Sequence, residues 1–147
     1  MIYIDTSCLL KVLRPEPLSE AVWLAIDGEE SVQISSLAEL EMQVQLKGAW
    51  TGGRLSRRHA RQAEARFELM RTLAPFDFRK LPMALFQTAL RQHRASARIH
   101  CRSLDRLHLA AMEELGISRL MTHDDAQVRA AIKAGFKVVC PGRAQPG

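Results

Sequence analysis

The sequence predicts an α/β fold, a single domain whose parallel sheet is flanked by helices on both faces. Two observations carry this. Short apolar runs alternate with helix-length patterned segments from end to end, and those runs lack the polar alternation of a strand with one wet face. With 147 residues, 47% of them hydrophobic, the chain suits one domain with an ordinary core and has no room for a second.

Ile2-Tyr3-Ile4 is a short apolar run suited to a buried strand; the polar turn Asp5-Thr6-Ser7 and a helix from Cys8 to Leu13 follow. Pro15 and Pro17 break the pattern, and Ser19 starts a second helix through Val22, Trp23 and Ile26 to Gly28. Val32-Gln33-Ile34 is the next strand. Ser35-Ser36 opens a helix with Leu37, Leu40 and Val44 on one side, ended by Gly48 or by Gly52-Gly53. From Ser56 to Leu73, Ala60, Ala63, Phe67 and Met70 recur at helical spacing away from a basic outer face. Phe76-Asp77-Phe78 is a brief strand. Pro82 suits the first turn of a helix with the stripe Leu85, Phe86, Ala89 and Leu90. Ser103 caps a helix that buries Leu104, Leu107, Ala111 and Leu115 before Gly116. Leu120-Met121 is a strand, Asp125 to Ala134 a helix stopped by Gly135, and Val138-Val139 the last strand. The domain is expected over residues 1–142, with 143–147 as a short tail.

Met1 leads directly into the first strand, without a secretory start, and no stretch approaches a membrane span, so a soluble cytoplasmic protein is expected. Cys8, Cys101 and Cys140 are odd in number and form no C-x-x-C pair, which argues against a disulfide framework and a thiolate zinc site. There are 21 Lys and Arg against 16 Asp and Glu, and arginine dominates the basic side. Its planar fork suits phosphate, but a basic chain is equally just a soluble chain, and charge alone does not identify a nucleic-acid partner.

In an open parallel sheet, ligands bind beyond the carboxyl ends of the strands, where several loops converge. Asp5 and Asp124 follow two strands at that edge, while Glu39 and Asp105 fall in the first turns of helices beginning near it. Each has a structural alternative: Asp5 as a helix cap, Glu39 as the far half of a capping box with Ser36, Asp105 at the positive end of a helix dipole, and Asp124 or Asp125 as a cap. Capping does not explain why all four acids should belong to one edge of one sheet. Crowded carboxylates raise one another's pKa and need a cation, and a hard divalent ion such as Mg²⁺ or Mn²⁺ suits oxygen ligands and phosphodiester hydrolysis.

The segments Ile2-Tyr3-Ile4-Asp5-Thr6-Ser7, Ile34-Ser35-Ser36-Leu37-Ala38-Glu39-Leu40, Leu104-Asp105-Arg106-Leu107-His108-Leu109-Ala110 and Leu120-Met121-Thr122-His123-Asp124 resemble, in order and spacing, the four acidic motifs of PIN-domain nucleases, with the VapC toxins the nearest likeness. The resemblance spans essentially the whole chain. It implies that Asp5, Glu39, Asp105 and Asp124 are the catalytic acids and hold the metal, with Thr6 and Thr122 as hydroxyl helpers. It also implies an endoribonuclease acting on structured RNA such as tRNA or rRNA, a homodimer, and inhibition by a VapB-like antitoxin whose tail blocks the cleft.

The competing class is a non-catalytic nucleic-acid-binding or regulatory α/β domain, with the acids as caps and the arginines as the binding groups. An aspartyl phosphatase would want a second acid two residues after the first, where Ser7 stands, and a receiver-like domain would need Lys137 beside its acids. His59, His93, His100, His108 and His123 form no zinc or nucleophilic constellation; His108, one turn after Asp105, is left outside the site. The stripe Arg91, Arg94 and Arg98 is read as a solvated face, and Trp23 and Leu24 as core.

Overall fold

The computed structural model describes residues 1–96 and 101–145. The elements are β1 (Ile2–Ile4), α1 (Thr6–Leu13), α2 (Ser19–Asp27), β2 (Val32–Ser35), α3 (Ser36–Thr51), α4 (Arg57–Met70), β3 (Phe76–Arg79), α5 (Leu85–Ala95), α6 (Ser103–Glu114), β4 (Arg119–Met121), α7 (Asp125–Lys133) and β5 (Lys137–Val139). All strand pairs are parallel, in the order β3-β2-β1-β4-β5. β1 therefore lies in the middle of the sheet, which is why Ile2, Tyr3 and Ile4 are all fully buried.

Successive side chains of a strand point to opposite faces. Ile2 and Ile4 enter one core with Leu9, Met42 and Phe67, on the side covered by α1 to α4, whereas Tyr3 enters a second core with Leu109, Met112 and Ala131 under α5 to α7. The predicted α/β architecture with helices on both faces is the one observed. Among the described residues, no helix is long and apolar enough to cross a membrane.

Several faces are rotated from those expected. In α3, Ala38, Met42 and Leu46 are buried alongside Leu37, while Leu40 and Val44 are more than 60% exposed. Phe86 and Leu90 of α5 and Leu104 of α6 also face outward, and Arg106, His108 and Met112 take the buried side of α6. Leu24 is 66% exposed, and Trp23 is only partly covered by an edge-on contact with Phe76, so neither belongs to the core proper. Helical spacing shows that a stripe exists; which of two overlapping stripes is buried depends on the neighbouring helices. The stripe of α4 has no competitor, and Ala60, Ala63, Phe67 and Met70 are all buried.

The polar turn expected after β1 is the first turn of α1, capped by Asp5. Ser35, not Ser36, caps α3 by accepting the Ala38 N–H at 3.2 Å, which rules out a Ser36-Glu39 capping box. Cys8 and Cys140 are buried free thiols, with Cys101 half-buried. Lys137 begins β5, at the sheet edge opposite Asp5. Beyond β5 the chain turns back, and the Arg143 side chain donates to the His123 carbonyl at 3.1 Å. Arg98 and His100 lie outside the described residues.

Candidate active site

β1 and β4 are adjacent with Ile4 opposite Met121, so the next residues, Asp5 and Thr122, emerge side by side at the carboxyl edge. Asp5 caps α1: its Oδ1 accepts the N–H groups of Ser7 at 3.0 Å and Cys8 at 3.2 Å, and the Ser7 hydroxyl at 2.6 Å. Its Oδ2 accepts the Thr122 hydroxyl. Burial pushes the Asp5 carboxyl above its ordinary value, against the pull of the Ser7 and Thr122 hydrogen bonds. Thr122 Oγ1 also accepts the Asp124 N–H at 3.0 Å, which ties the first acid to the last.

Asp124 caps α7 with Oδ1, which accepts from Ala126 N at 2.7 Å and Gln127 N at 3.2 Å; its Oδ2 lies 3.8 Å from Arg102. Asp125 points outward and pairs with Arg143, whereas Asp124 is the one linked to Asp5 through Thr122. Asp105 stands in the first turn of α6, and its Oδ2 is buried with no hydrogen-bond partner among the described residues. Burial, and next the charge of Asp124, raise the Asp105 carboxyl; Glu41 adds to this, while Arg102 and His108 oppose it.

Glu39 is not in this group. It pairs with Arg71, whose guanidinium lies 4.4 Å from the centre of the Phe78 ring. The acid that α3 delivers to the cleft is Glu41. At 3.6 residues per turn the two glutamates lie about 200° apart around the helix, so Glu39 flanks the α4 side and Glu41 the α6 side. Glu41 Oε2 accepts the Thr6 hydroxyl at 2.7 Å and meets His108 Nε2 at 2.5 Å. Burial opposes ionisation of Glu41, but the His108 and Thr6 contacts outweigh it and hold the carboxyl below its ordinary value.

His108 is itself fixed from behind. Its Nδ1 is 2.6 Å from the Tyr3 hydroxyl, which is 2.5 Å from Ser35 Oγ. Burial raises the Tyr3 phenol far above its usual value, so it stays protonated. A carboxylate only accepts, so His108 carries a hydrogen on Nε2 toward Glu41. Ser35, Tyr3 and His108 thus form a buried chain that orients one carboxylate. Tyr3 appeared in the sequence only as an apolar strand residue; the readable signal was a hydroxyl in a strand that both cores bury.

Among the described residues, no three His, Cys, Asp or Glu side chains close on one point as three direct ligands would. This is compatible with Mg²⁺, which keeps several waters and takes one or two carboxylates. The unpartnered Asp105 oxygen beside Asp124 is what such an ion would satisfy. The raised Asp105 carboxyl also gives a prediction. It binds its proton more tightly in the fold than in the unfolded chain, so without metal its contribution to stability falls as pH rises from the unfolded value through the raised one. Asp105→Asn should therefore raise the melting temperature in EDTA at neutral pH by a few degrees, and added Mg²⁺ should shrink the difference; a lower melting temperature in EDTA would refute the assignment.

Asp5, Glu41, Asp105 and Asp124 all stand at the carboxyl edge of a five-stranded parallel sheet. The family model of the PIN domain matches residues 2–133, and the chain belongs to that family. Its relatives there are VapC proteins: over 142 residues it is 30% identical to Ribonuclease VapC46 of Mycobacterium tuberculosis, covering 95% of this chain and 97% of the relative. The solved structures that share the fold include VapC20 and FitAcB. VapC20 of Mycobacterium tuberculosis, a sarcin-ricin loop cleaving toxin, has a TM-score of 0.70 at 19% identity, covering 96% of this chain and all of that one. FitAcB from Neisseria gonorrhoeae has a TM-score of 0.72 at 20% identity over 96% of this chain and 98% of its own.

Proposed function

We propose that the chain is an endoribonuclease, the toxin of a toxin–antitoxin pair, that hydrolyses RNA phosphodiesters with a divalent metal at Asp5, Glu41, Asp105 and Asp124. The observation that carries this reading is the buried, unpartnered Asp105 oxygen beside Asp124, in a cleft where Glu41 is kept ionised. Kinship with Ribonuclease VapC46 supports RNA as the substrate.

Mg²⁺ or Mn²⁺ held by these carboxylates would polarise the phosphodiester and acidify an attacking water. The chain's own residues prepare the place. Asp5 is locked by α1 and Thr122, Glu41 by Thr6 and His108, and Asp124 by the α7 N-terminus, so little reorganisation remains when substrate arrives. Thr6 and Thr122 act as the hydroxyl helpers, each donating to one acid.

The reading extends to structured RNA such as tRNA or rRNA in the cytoplasm, and to a VapB-like antitoxin whose tail covers the cleft. Homodimerisation is supported by apolar side chains left exposed on α3 (Leu40, Val44) and α5 (Phe86, Leu90). The test is incubation of total RNA with purified protein in Mg²⁺ or Mn²⁺, beside an EDTA control. Fragments that depend on metal support the nuclease. Intact RNA from folded protein free of a bound inhibitor moves the reading to a non-catalytic binding domain.

A further inference from the structure

Arg106 follows Asp105 on α6 but turns away from the acid cleft, and it is only 7% exposed. Its Nη2 donates to Ser96 Oγ at 3.1 Å, and its Nε is buried without a partner among the described residues. Among the described residues it pairs with no carboxylate. Residues 97–100 are Ala, Arg, Ile and His, so that stretch of sequence holds no acid either. Glu113, the acid in the lining of the cavity that Arg106 borders, has both oxygens engaged, by Arg91 and by Gln92, each at 2.6 Å. Arg106 also stands in the first turn of its helix, the end whose dipole disfavours a cation. A buried charge without a counter-charge costs several kcal/mol.

Arg106 borders a cavity of about 640 Å³ between α5, α6 and α7, with Lys133 as a further cation, the Arg91–Glu113 ion pair on one side and Phe136 and Ala130 as apolar wall. The volume falls within the range of small-ligand sites, and a guanidinium fork matches phosphate oxygens. We propose that this cavity is a second site, separate from the acid cleft, that binds the phosphate group of a nucleotide, with Arg106 as its anchor. Lys133 adds charge at its rim, where Arg91 is already paired with Glu113, and the Phe136 side of the cavity receives the nucleoside. The phosphate belongs either to a free nucleotide or to an RNA strand, and the chemistry of recognition is the same.

The site is independent of the nuclease reading, and its test needs no cleavage. Thermal melting of the full chain is followed in EDTA at constant ionic strength, so that no metal carries phosphate to the acid cleft. Inorganic phosphate, adenosine 5′-monophosphate or a short oligoribonucleotide is titrated against a chloride reference. The wild type should show a saturable rise, and Arg106→Met should need at least about tenfold more ligand, the loss of one charge-assisted contact. In chloride alone Arg106→Met should melt no lower than wild type, because an apolar stem replaces an unpaired charge. If that variant does not fold, Arg106 is a satisfied structural residue and the proposal fails. Lys133→Gln, exposed at the end of α7, should weaken binding a few-fold without changing stability. A response to the mononucleotide identifies a free nucleotide; a response to the oligoribonucleotide alone identifies a strand. No saturable response to any of the three, or an equal response in Arg106→Met, overturns the site.

Discussion

Asp5→Asn should leave the protein folded and abolish RNA cleavage, with a loss of about a hundredfold or more, as expected when a group that holds several kcal/mol of metal-assisted stabilisation is removed. The fold should survive because asparagine caps a helix as well as aspartate does. The amide oxygen can still accept from Ser7 and Cys8, and the Thr122 hydroxyl, which now donates to Oδ2, can turn to accept from the new amide. Burial raises the Asp5 carboxyl, so neutralising it removes a cost from the metal-free protein, and stability in EDTA should be equal or higher. Cleavage of a defined RNA beside a melting curve checks both halves. Cleavage at the wild-type rate would remove Asp5 from the chemistry.

The second large effect separates two residues that are nearly neighbours in sequence. Glu41→Gln should reduce cleavage about a hundredfold, whereas Glu39→Gln should stay within about twofold, because Glu39 makes only a surface pair with Arg71. The side-chain amide that replaces the Glu41 carboxylate can still accept from Thr6 and from His108, so the variant tests charge and not packing. Tyr3→Phe is its milder companion: it removes the hydroxyl that fixes His108 and should cost about tenfold, the scale of an outer-sphere orienting group. If Glu39→Gln were the inactive variant and Glu41→Gln the active one, the site as built here would be wrong.

Three of the four acids of the proposed site follow one local rule that the sequence shows. A short apolar strand or a helix start at one sheet edge places Asp5, Asp105 and Asp124 within a residue or two of a helix N-terminus, and local sequence specifies such positions. The fourth was not readable in this way. Glu41 lies in the second turn of α3, and what distinguishes it from Glu39 is that its flank meets α6 while the other meets the end of α4. That is a long-range packing fact. The same limit explains Leu40, Val44, Phe86 and Leu90, whose helices were recognised but whose rotation was not. In the sequence His108 is a lone histidine, and its role emerges only when Tyr3, Ser35 and Glu41 arrive from three other elements.

The measurement with most at stake is the cleavage rate of a defined RNA as a function of Mn²⁺ concentration, with wild type and Asp105→Asn side by side. A rate that saturates with metal, vanishes in EDTA and needs at least about tenfold more Mn²⁺ in the variant is the expected result. A wild-type rate that does not change between EDTA and saturating Mn²⁺ would contradict a metal-dependent carboxylate centre.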